Sequence, residues 1–262
     1  MSKKPFPFRS EKRRNQPNKP RRSQSNSDAT HYLYGLHTVR AALQNNSRTK
    51  HLLQTTPNAL ARLKDGDDAI LGKVQVEMLT PRELDKIAGS DAVHQGVVLK
   101  VSPLPRQDLS SLSDYNLIIV LDQITDPHNV GAILRTACAF GASAVITTNR
   151  HAPQETGVLA KSASGALDFV PMIEVNNLGE AIKTLKKQAV WCVGLDSEAD
   201  AALGDTQSDQ NIALILGAEG KGLRHKTRQL CDQMLRLDMP GPIKSLNVSN
   251  AAAVAMYALA GK

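Results

Sequence analysis

The chain has 262 residues, of which 41% are apolar and 22% are charged, and its formal net charge is +7. This length allows one or two domains, each with a hydrophobic core. No apolar run reaches membrane-spanning length, and the N-terminus lacks the apolar centre of a secretory signal, so we expect neither a membrane protein nor a secreted one.

Residues 1–28 form a basic tail with almost nothing to bury. They contain nine Lys or Arg residues against Glu11 and Asp28, and they therefore carry the whole net charge of the chain. Such a segment cannot offset its ordering entropy, and we expect it to be disordered. It could follow RNA phosphates through counterion release, or serve only for solubility. Its many prolines disfavour a third possibility, a mitochondrial transit peptide.

Residues 29–101 are predicted to form a small α/β domain. Three helices, with Thr80 capping the third, alternate with three strands; the helices cover Val39–Leu43, Asn58–Lys64 and Pro81–Ala88, and the strands cover His51–Gln54, Val74–Met78 and His94–Val101. His94 is a candidate RNA contact, but a single histidine is more often a structural hydrogen-bonding residue, and we favour that role.

Residues 102–114 contain two prolines and several serines, which predicts a linker. Beyond it, residues 115–262 alternate strands with helices. The strands are Leu117–Leu121, Ala144–Thr147, Val170–Ile173, Val190–Leu195, Ile212–Leu216 and Met234–Leu237, and the helices are Val130–Phe140, Gly157–Ala166, Leu178–Gln188, Leu223–Leu230 and one from Leu246 onward. Continuous apolar strands alternating with helices indicate a parallel sheet covered on both faces, with a ligand site at its carboxyl edge.

The stretch from Leu237 to Asn250 is predicted to be the end of a strand, a tight loop and the start of a helix. Met239-Pro240-Gly241-Pro242 cannot form regular structure, because two of these residues lack a backbone donor. Ser245 is the predicted N-cap of the Ala-rich helix that follows. Free backbone groups beside a helix N-terminus are well suited to binding a small polar ligand.

A glycine-rich segment, L-G-A-E-G-K-G-L-R, follows the strand Ile212–Leu216. A dinucleotide-binding site needs G-x-G-x-x-G after the first strand, and that spacing is missing there. The segment is not a phosphate-binding P-loop either, because no Ser or Thr follows Lys221. The glycines are therefore predicted to allow close backbone approach to a ligand without a phosphate.

Three blocks occur in a fixed order: L-D-Q-I-T-D-P-H-N-V-G-A-I-L-R from Leu121, L-I-L-G-A-E-G-K-G-L-R from Leu214, and S-L-N-V-S-N-A from Ser245. Together they resemble the SpoU family of RNA ribose methyltransferases, also called the TrmH family. The resemblance implies a C-terminal parallel-sheet methyltransferase domain with a trefoil knot (the SPOUT fold), a smaller N-terminal α/β RNA-binding domain similar to a ribosomal protein, and a homodimer.

Within this family, Y-G-L-H-T-V from Tyr34 and H-Q-G-V-V from His94 are most similar to members that act on large-subunit ribosomal RNA. The resemblance thus implies S-adenosylmethionine-dependent 2′-O-methylation of a guanosine in that RNA. A transfer-RNA ribose methyltransferase and a non-catalytic RNA-binding relative are the alternatives. We expect the methyl donor to be held by the main chain of Gly217, Leu237 and Leu246, with Met239 and Ile243 as apolar walls.

The resemblance also implies five catalytic residues: Asn129, Arg135, Glu219, Ser245 and Asn247. In the family the arginine is sometimes proposed as the general base, but a guanidinium is essentially never deprotonated. We favour a role for Arg135 in holding the target phosphate and stabilising the developing alkoxide. Glu219 could orient Asn129 or Arg135, or accept a substrate proton. Without the resemblance, a surface Arg135 paired with a carboxylate and capping roles for Ser245 and Asn247 are the ordinary interpretations.

No metal is predicted. Asp122, Asp126 and His128 lie close in sequence, but loop carboxylates with a single His are usually solvated or capping. The chain has three widely spaced cysteines, which suit a reducing, cytoplasmic compartment rather than a disulfide framework. Cys138, in the first block, is predicted to pack in a helix rather than act as a nucleophile.

Overall fold

The computed structural model describes residues 29–205 and 210–260. The predicted basic tail, residues 1–28, lies outside the described residues. Two sheets organise the rest, one of four strands and one of seven. No helix within the described ranges is long and apolar enough to cross a bilayer.

The N-terminal unit is built on the four-stranded sheet. In chain order it contains β1 (His31–Tyr34), α1 (Leu36–Gln44), β2 (Lys50–Thr55), α2 (Pro57–Lys64), β3 (Gln75–Met78), α3 (Pro81–Ala88) and β4 (Val97–Val101). The strand order is β1-β4-β2-β3. The predicted helix Pro81–Ala88 and its Thr80 cap are confirmed, and Thr80 N–H donates to Glu83 Oε2 at 2.8 Å.

Two differences from the predicted N-terminal unit have local causes. Strand β1 was not predicted, because four residues at a sheet edge give too short a pattern. Strand β4 begins at Val97 rather than His94, because Gln95 and Gly96 have φ angles of 56° and 79° and form a turn. His94 is the hydrogen-bonding residue we expected: its Nε2 lies 3.0 Å from Asp85 Oδ1, and its Nδ1 accepts from Gly96 N–H.

The C-terminal unit is built on the seven-stranded sheet. It contains β5 (Leu117–Asp122), α4 (Pro127–Ala139), β6 (Ala144–Thr148), α5 (Gly157–Ala163), β7 (Met172–Val175), α6 (Leu178–Lys187), β8 (Trp191–Leu195), β9 (Ala201–Ala202), β10 (Ile212–Gly217), α7 (His225–Arg228), β11 (Gln233–Arg236) and α8 (Val248–Ala260). The strand order is β7-β6-β5-β10-β8-β11-β9, and every pairing is parallel.

Alternate residues of the central strands enter different cores, as a sheet covered on both faces requires. On β5, Ile119 and Leu121 join one buried cluster with α4 and α8, whereas Ile118 and Val120 join a second cluster with α6. The predicted parallel sheet is therefore confirmed. The predicted helix Leu223–Leu230 was wrong in length: α7 has four residues, because the chain from Leu223 is part of the glycine-rich turn.

A buried ion-pair network joins the two units. Arg48, between α1 and β2, has a side chain with 0% exposure; its Nε lies 2.6 Å from Asp168 Oδ1 and its Nη1 lies 2.5 Å from Glu155 Oε1. Burial alone would raise the pKa of Glu155. The neighbouring His31 ring, the Arg48 charge and the Leu104 N–H outweigh burial and lower that pKa to about 2.

Acid should therefore weaken the folded state through Glu155. Because the folded-state pKa is lowered, the stabilisation is complete above about pH 4.5 and is lost as the pH falls towards about 2. The pKa difference corresponds to on the order of 3 kcal/mol. Urea unfolding of wild type and Glu155→Gln should give free energies that differ near neutral pH and converge in acid. A difference that is independent of pH would contradict this.

Candidate active site

The turns after β8, β10 and β11 meet around one cavity of about 280 Å³ at the carboxyl edge of the sheet. Three of its lining residues are the predicted main-chain contacts Gly217, Leu237 and Leu246. The remaining lining residues are Leu195, Asp196, Ser197, Leu216, Ala218, Glu219, Gly220, Gly222, Met239, Lys244, Ser245, Val248 and Ala251. A ligand site at this edge is what the parallel topology predicts.

The cavity combines apolar side chains with closely approaching backbone. A Cβ on Gly217 would lie 2.2 Å from the carbonyl carbon of Gly222 and 2.4 Å from the nitrogen of Leu223, so only glycine fits at that position. Gly220 and Gly222 have φ angles of 74° and 62°, which bend the loop back on itself. Apolar walls with exposed backbone groups suit a ligand that has an apolar ring and polar edges, and S-adenosylmethionine is such a ligand.

Glu219 is the centre of a hydrogen-bond network beside the cavity. Its Oε1 accepts from Asn129 Nδ2 at 3.1 Å, from Asn247 Nδ2 at 2.6 Å and from Val248 N–H at 3.4 Å. Asn247 Nδ2 also donates to Asn129 Oδ1 at 3.0 Å. Residues from all three sequence blocks thus meet at one carboxylate. The other oxygen, Oε2, has no hydrogen bond to a described residue.

The start of α8 differs from the prediction. The helix begins at Val248, so Ser245 is not its N-cap. Asn247 takes that role instead, and its Oδ1 accepts from Ser249 N–H at 2.9 Å. Asn247 therefore caps the helix with its oxygen and donates to Glu219 with its nitrogen. Ser245 remains exposed and lines the cavity.

The glycine-rich turn is tied to the end of β5 by an ion pair between buried Asp122 and partly exposed Arg224. Asp122, whose side chain has 0% exposure, accepts from Arg224 Nε at 2.6 Å and from Arg224 N–H at 3.1 Å. Asp126 accepts from His128 N–H and caps α4. These partners account for the carboxylates that we did not assign to a metal, and no group that could hold a metal ion occurs among residues 29–205 and 210–260.

Arg135 lies on α4, six residues or about 1.7 turns beyond Asn129. That is about 9 Å along the helix axis and roughly a third of a turn around it. Its side chain is exposed, does not line the cavity, and makes no hydrogen bond or ion pair with any described residue. The structure therefore places Arg135 on the helix that carries Asn129, without a carboxylate partner.

Neither Ile243 nor Cys138 lines the cavity. Ile243 is 72% exposed and is absent from the cavity lining, whereas Met239 does line the cavity. Cys138 packs half-buried against the core, and burial raises the pKa of its thiol. A raised pKa is the opposite of what a nucleophilic cysteine requires.

Sequence reasoning missed Asp196 and the function of Lys244. Asp196 follows β8 at the carboxyl edge, lines the cavity and pairs with Arg228. Residues that follow the strands of a parallel sheet lie at its ligand-binding carboxyl edge, and this rule would have found Asp196. Lys244 Nζ donates to the carbonyl of Met239 at 2.7 Å and so closes the proline-rich loop. No pattern in the sequence indicates that contact.

Comparison with known proteins identifies the family. Residues 116–257 match the model of the SpoU rRNA Methylase family, and residues 32–107 match the model for RNA 2′-O ribose methyltransferase substrate binding. The chain belongs to the SpoU rRNA methylase family. The first match covers the seven-stranded sheet together with the cavity, and the second covers the four-stranded sheet.

Named members of the SpoU family are similar over most of the chain. The 23S rRNA (guanosine-2′-O-)-methyltransferase RlmB of Pasteurella multocida is 38% identical over 243 residues, which cover 86% of this chain and 95% of that protein. The enzyme of the same name from Escherichia coli K12 is 35% identical over 234 residues, covering 86% and 96%.

Solved structures of SpoU proteins have the same fold. The SpoU methyltransferase AviRb from Streptomyces viridochromogenes, in complex with the cofactor AdoMet, superposes with a TM-score of 0.74 at 25% identity, covering 88% of this chain and 89% of that one. A putative RNA methyltransferase of the TrmH family from Porphyromonas gingivalis superposes at 0.72 with 21% identity, covering 88% and 89%.

Proposed function

We propose that this protein is an S-adenosylmethionine-dependent methyltransferase that acts on the 2′-oxygen of a guanosine ribose in 23S ribosomal RNA. The observation that carries the proposal is the meeting of three turns at one cavity, with Glu219 shared between the cavity lining and the network of Asn129 and Asn247. The relatives at 35% and 38% identity support the reaction and the RNA class.

The main chain of Gly217, Leu237 and Leu246 would hold the cofactor, with Met239 as an apolar wall. All four residues line the cavity. When bound, the cofactor supplies a methyl group on a cationic sulfur. Ile243 is proposed to cover the cofactor from the exposed side of the loop, where its side chain is 72% exposed. Ser245 faces the same cavity and could hydrogen-bond a polar edge of the ligand.

Glu219 is proposed to orient the target ribose. The two asparagines and the Val248 N–H fix its Oε1, so Oε2 is held in one place. That oxygen can accept a hydrogen bond from the 2′-hydroxyl and hold its proton as the oxygen attacks. Such positioning requires no metal and no covalent enzyme intermediate. In model reactions, orientation of this kind contributes on the order of 7–11 kcal/mol.

Arg135 is proposed to bind the phosphate next to the target ribose and to stabilise negative charge on the attacking oxygen. Its guanidinium is exposed and has no hydrogen-bond or ion-pair partner among the described residues, so it is available for that contact. The N-terminal unit, residues 29–101, is proposed to bind ribosomal RNA, which the match to the substrate-binding family model supports.

The protein is proposed to act as a homodimer in the cytoplasm. On α8, Val254 and Tyr257 are 48% and 72% exposed, although Tyr257 also packs edge-on against Phe140 of α4 with ring centroids 6.2 Å apart. A second copy would cover this apolar face. Sedimentation equilibrium should give twice the chain mass, and a monomer would contradict the proposal.

The trefoil knot that the resemblance implies stays a prediction.

A methyl-transfer assay tests the function. Purified protein is incubated with S-adenosylmethionine labelled on its methyl group and with transcripts of 23S ribosomal RNA or of transfer RNAs. We expect label in the 23S transcript, at a guanosine whose neighbouring phosphodiester resists alkaline hydrolysis because the 2′-oxygen is blocked. Label only in transfer RNA would favour the alternative substrate. Cofactor binding without transfer to either RNA would favour a non-catalytic relative.

A further inference from the structure

The two units meet along an unusually close contact between β1, α1 and α5. A Cβ on Gly157 would lie 2.4 Å from a ring carbon of Tyr34 and 2.8 Å from the carbonyl oxygen of Tyr32. A Cβ on Gly165 would lie 2.8 Å from the Cβ of Ala41. At both positions only glycine allows this separation. The N-terminal unit is thus packed directly on the C-terminal unit rather than attached through residues 102–114 alone.

Side-chain hydrogen bonds also cross the same contact. Thr38 Oγ1 donates to the carbonyl of Ala160 at 3.2 Å, and both are buried. Lys161 Nζ donates to Gln95 Oε1 at 3.0 Å, and that oxygen also accepts from Leu36 N–H at 3.1 Å. Gln95 belongs to the turn before β4, so the turn is held from both sides of the contact.

Arg48 is the residue that connects the most parts of this contact. Besides Glu155 and Asp168, its Nη1 donates to the carbonyl of Ser102, the first residue of the linker, at 3.4 Å. Asp168 also accepts from Asn45 Nδ2 at 3.0 Å, and Glu155 Oε2 accepts from Leu104 N–H at 3.0 Å. Arg48 therefore holds the linker, α1 and both ends of the α5 segment in one arrangement.

The contact lies one helix away from the candidate active site. Helix α5 packs on α4 through Gly131, where a Cβ would lie 2.5 Å from Ser162 Cβ and 2.8 Å from the carbonyl oxygen of Leu159. Ser162 Oγ lies 3.3 Å from His128 Nδ1. Helix α4 carries Asn129 and Arg135. If the N-terminal unit shifted on α5, it would therefore also shift relative to Asn129 and Arg135.

We propose that Arg48 is a positioning residue, which fixes the N-terminal unit against α5 so that RNA bound there reaches the methyl-transfer site in one register. This rests on the proposed function. Buried ion pairs are weak sources of net stability, but they strongly disfavour arrangements that leave a charge unpaired. Three buried charges divided between two units therefore specify the relative orientation of those units. Two units joined only by a flexible linker would need none of these three buried charges.

Two variants keep the test interpretable. Arg48→Ala leaves Glu155 and Asp168 buried without a cation and could unfold the chain. The triple variant Arg48→Met, Glu155→Gln and Asp168→Asn removes all three charges together and leaves no unpaired ion. Lys183→Ala is the control, because Lys183 pairs with Glu180 within α6, at 2.9 Å, and lies neither in the N-terminal unit nor at the contact.

We expect the triple variant to bind S-adenosylmethionine with wild-type affinity in calorimetry. Its kcat/KM on a 23S ribosomal RNA fragment should fall on the order of tenfold to a hundredfold, mainly through a higher KM. Small-angle scattering should show a larger radius of gyration, and Lys183→Ala should change none of these. Unchanged RNA kinetics would overturn the positioning role, as would equal losses of cofactor binding and RNA turnover. Failure of the proposed function is distinct, because wild type itself would then transfer no methyl group.

Discussion

Replacing Gly217 with alanine should lower the affinity for S-adenosylmethionine by about a hundredfold. The new Cβ would lie 2.2 to 2.5 Å from three backbone atoms of Gly222 and Leu223. Backbone cannot rotate away as a side chain can, and the Asp122–Arg224 ion pair ties the turn to the end of β5. Overpacking of this kind costs about 1–3 kcal/mol or more, so affinity should fall by about a hundredfold.

The matched control for that experiment is Gly241→Ala. Gly241 lies in the proline-rich loop of the same site, but a Cβ there would meet no atom within 4 Å, and its φ is not in the left-handed region. Its affinity in calorimetry should stay within about twofold of wild type. If Gly217→Ala bound the cofactor normally, the turn after β10 would not be part of the cofactor site.

Replacing Arg135 with alanine should lower the rate of methyl transfer by on the order of a hundredfold to a thousandfold, as removal of a group that stabilises developing negative charge does. Because its side chain is exposed and has no partner among the described residues, the melting temperature and the affinity for S-adenosylmethionine should not change. Single-turnover kinetics with saturating cofactor measure the rate directly.

Two further variants identify what Arg135 contributes. Arg135→Lys keeps the charge but loses the planar fork that binds phosphate through two parallel hydrogen bonds, so it should recover only part of the rate. Lys187→Ala removes an exposed cation from α6, which packs on the opposite face of the sheet, and should leave the rate unchanged. Equal losses in both alanine variants would indicate general attraction of RNA rather than a specific role for Arg135.

The central strands could be predicted from sequence because the physical demand on them is simple. Leu117–Leu121 and Ile212–Leu216 are buried on both sides of a parallel sheet, so each is a continuous apolar run. Strand β9 has two residues and β1 has four, and such short strands are defined by their pairing partners rather than by their own pattern. Helix α7 was overestimated, because L-R-H-K-T-R-Q-L has helical spacing while Leu223 and Arg224 are held in the preceding turn.

The sequence predicted which three blocks form the candidate site, but it did not predict the individual hydrogen bonds between them. Strand ends at one edge of a parallel sheet had to meet, and they do. Which oxygen of Glu219 faces Asn129, and whether Ser245 or Asn247 caps α8, depends on distances that no spacing rule contains. The ion pairs of Asp122 with Arg224 and of Arg48 with Asp168 join residues more than a hundred positions apart, and composition holds no signal for such pairs.

The Asn129–Glu219–Asn247 network also makes the candidate site depend on segments that are far apart in the chain. Its three members are separated by 90 and 28 positions, and the last of them stands at the start of the final helix. Helix α8 thus contributes both to the hydrophobic core and to the carboxylate network. A chain truncated before Asn247 would lack one of the two amide donors to Glu219, and we expect it to transfer no methyl group.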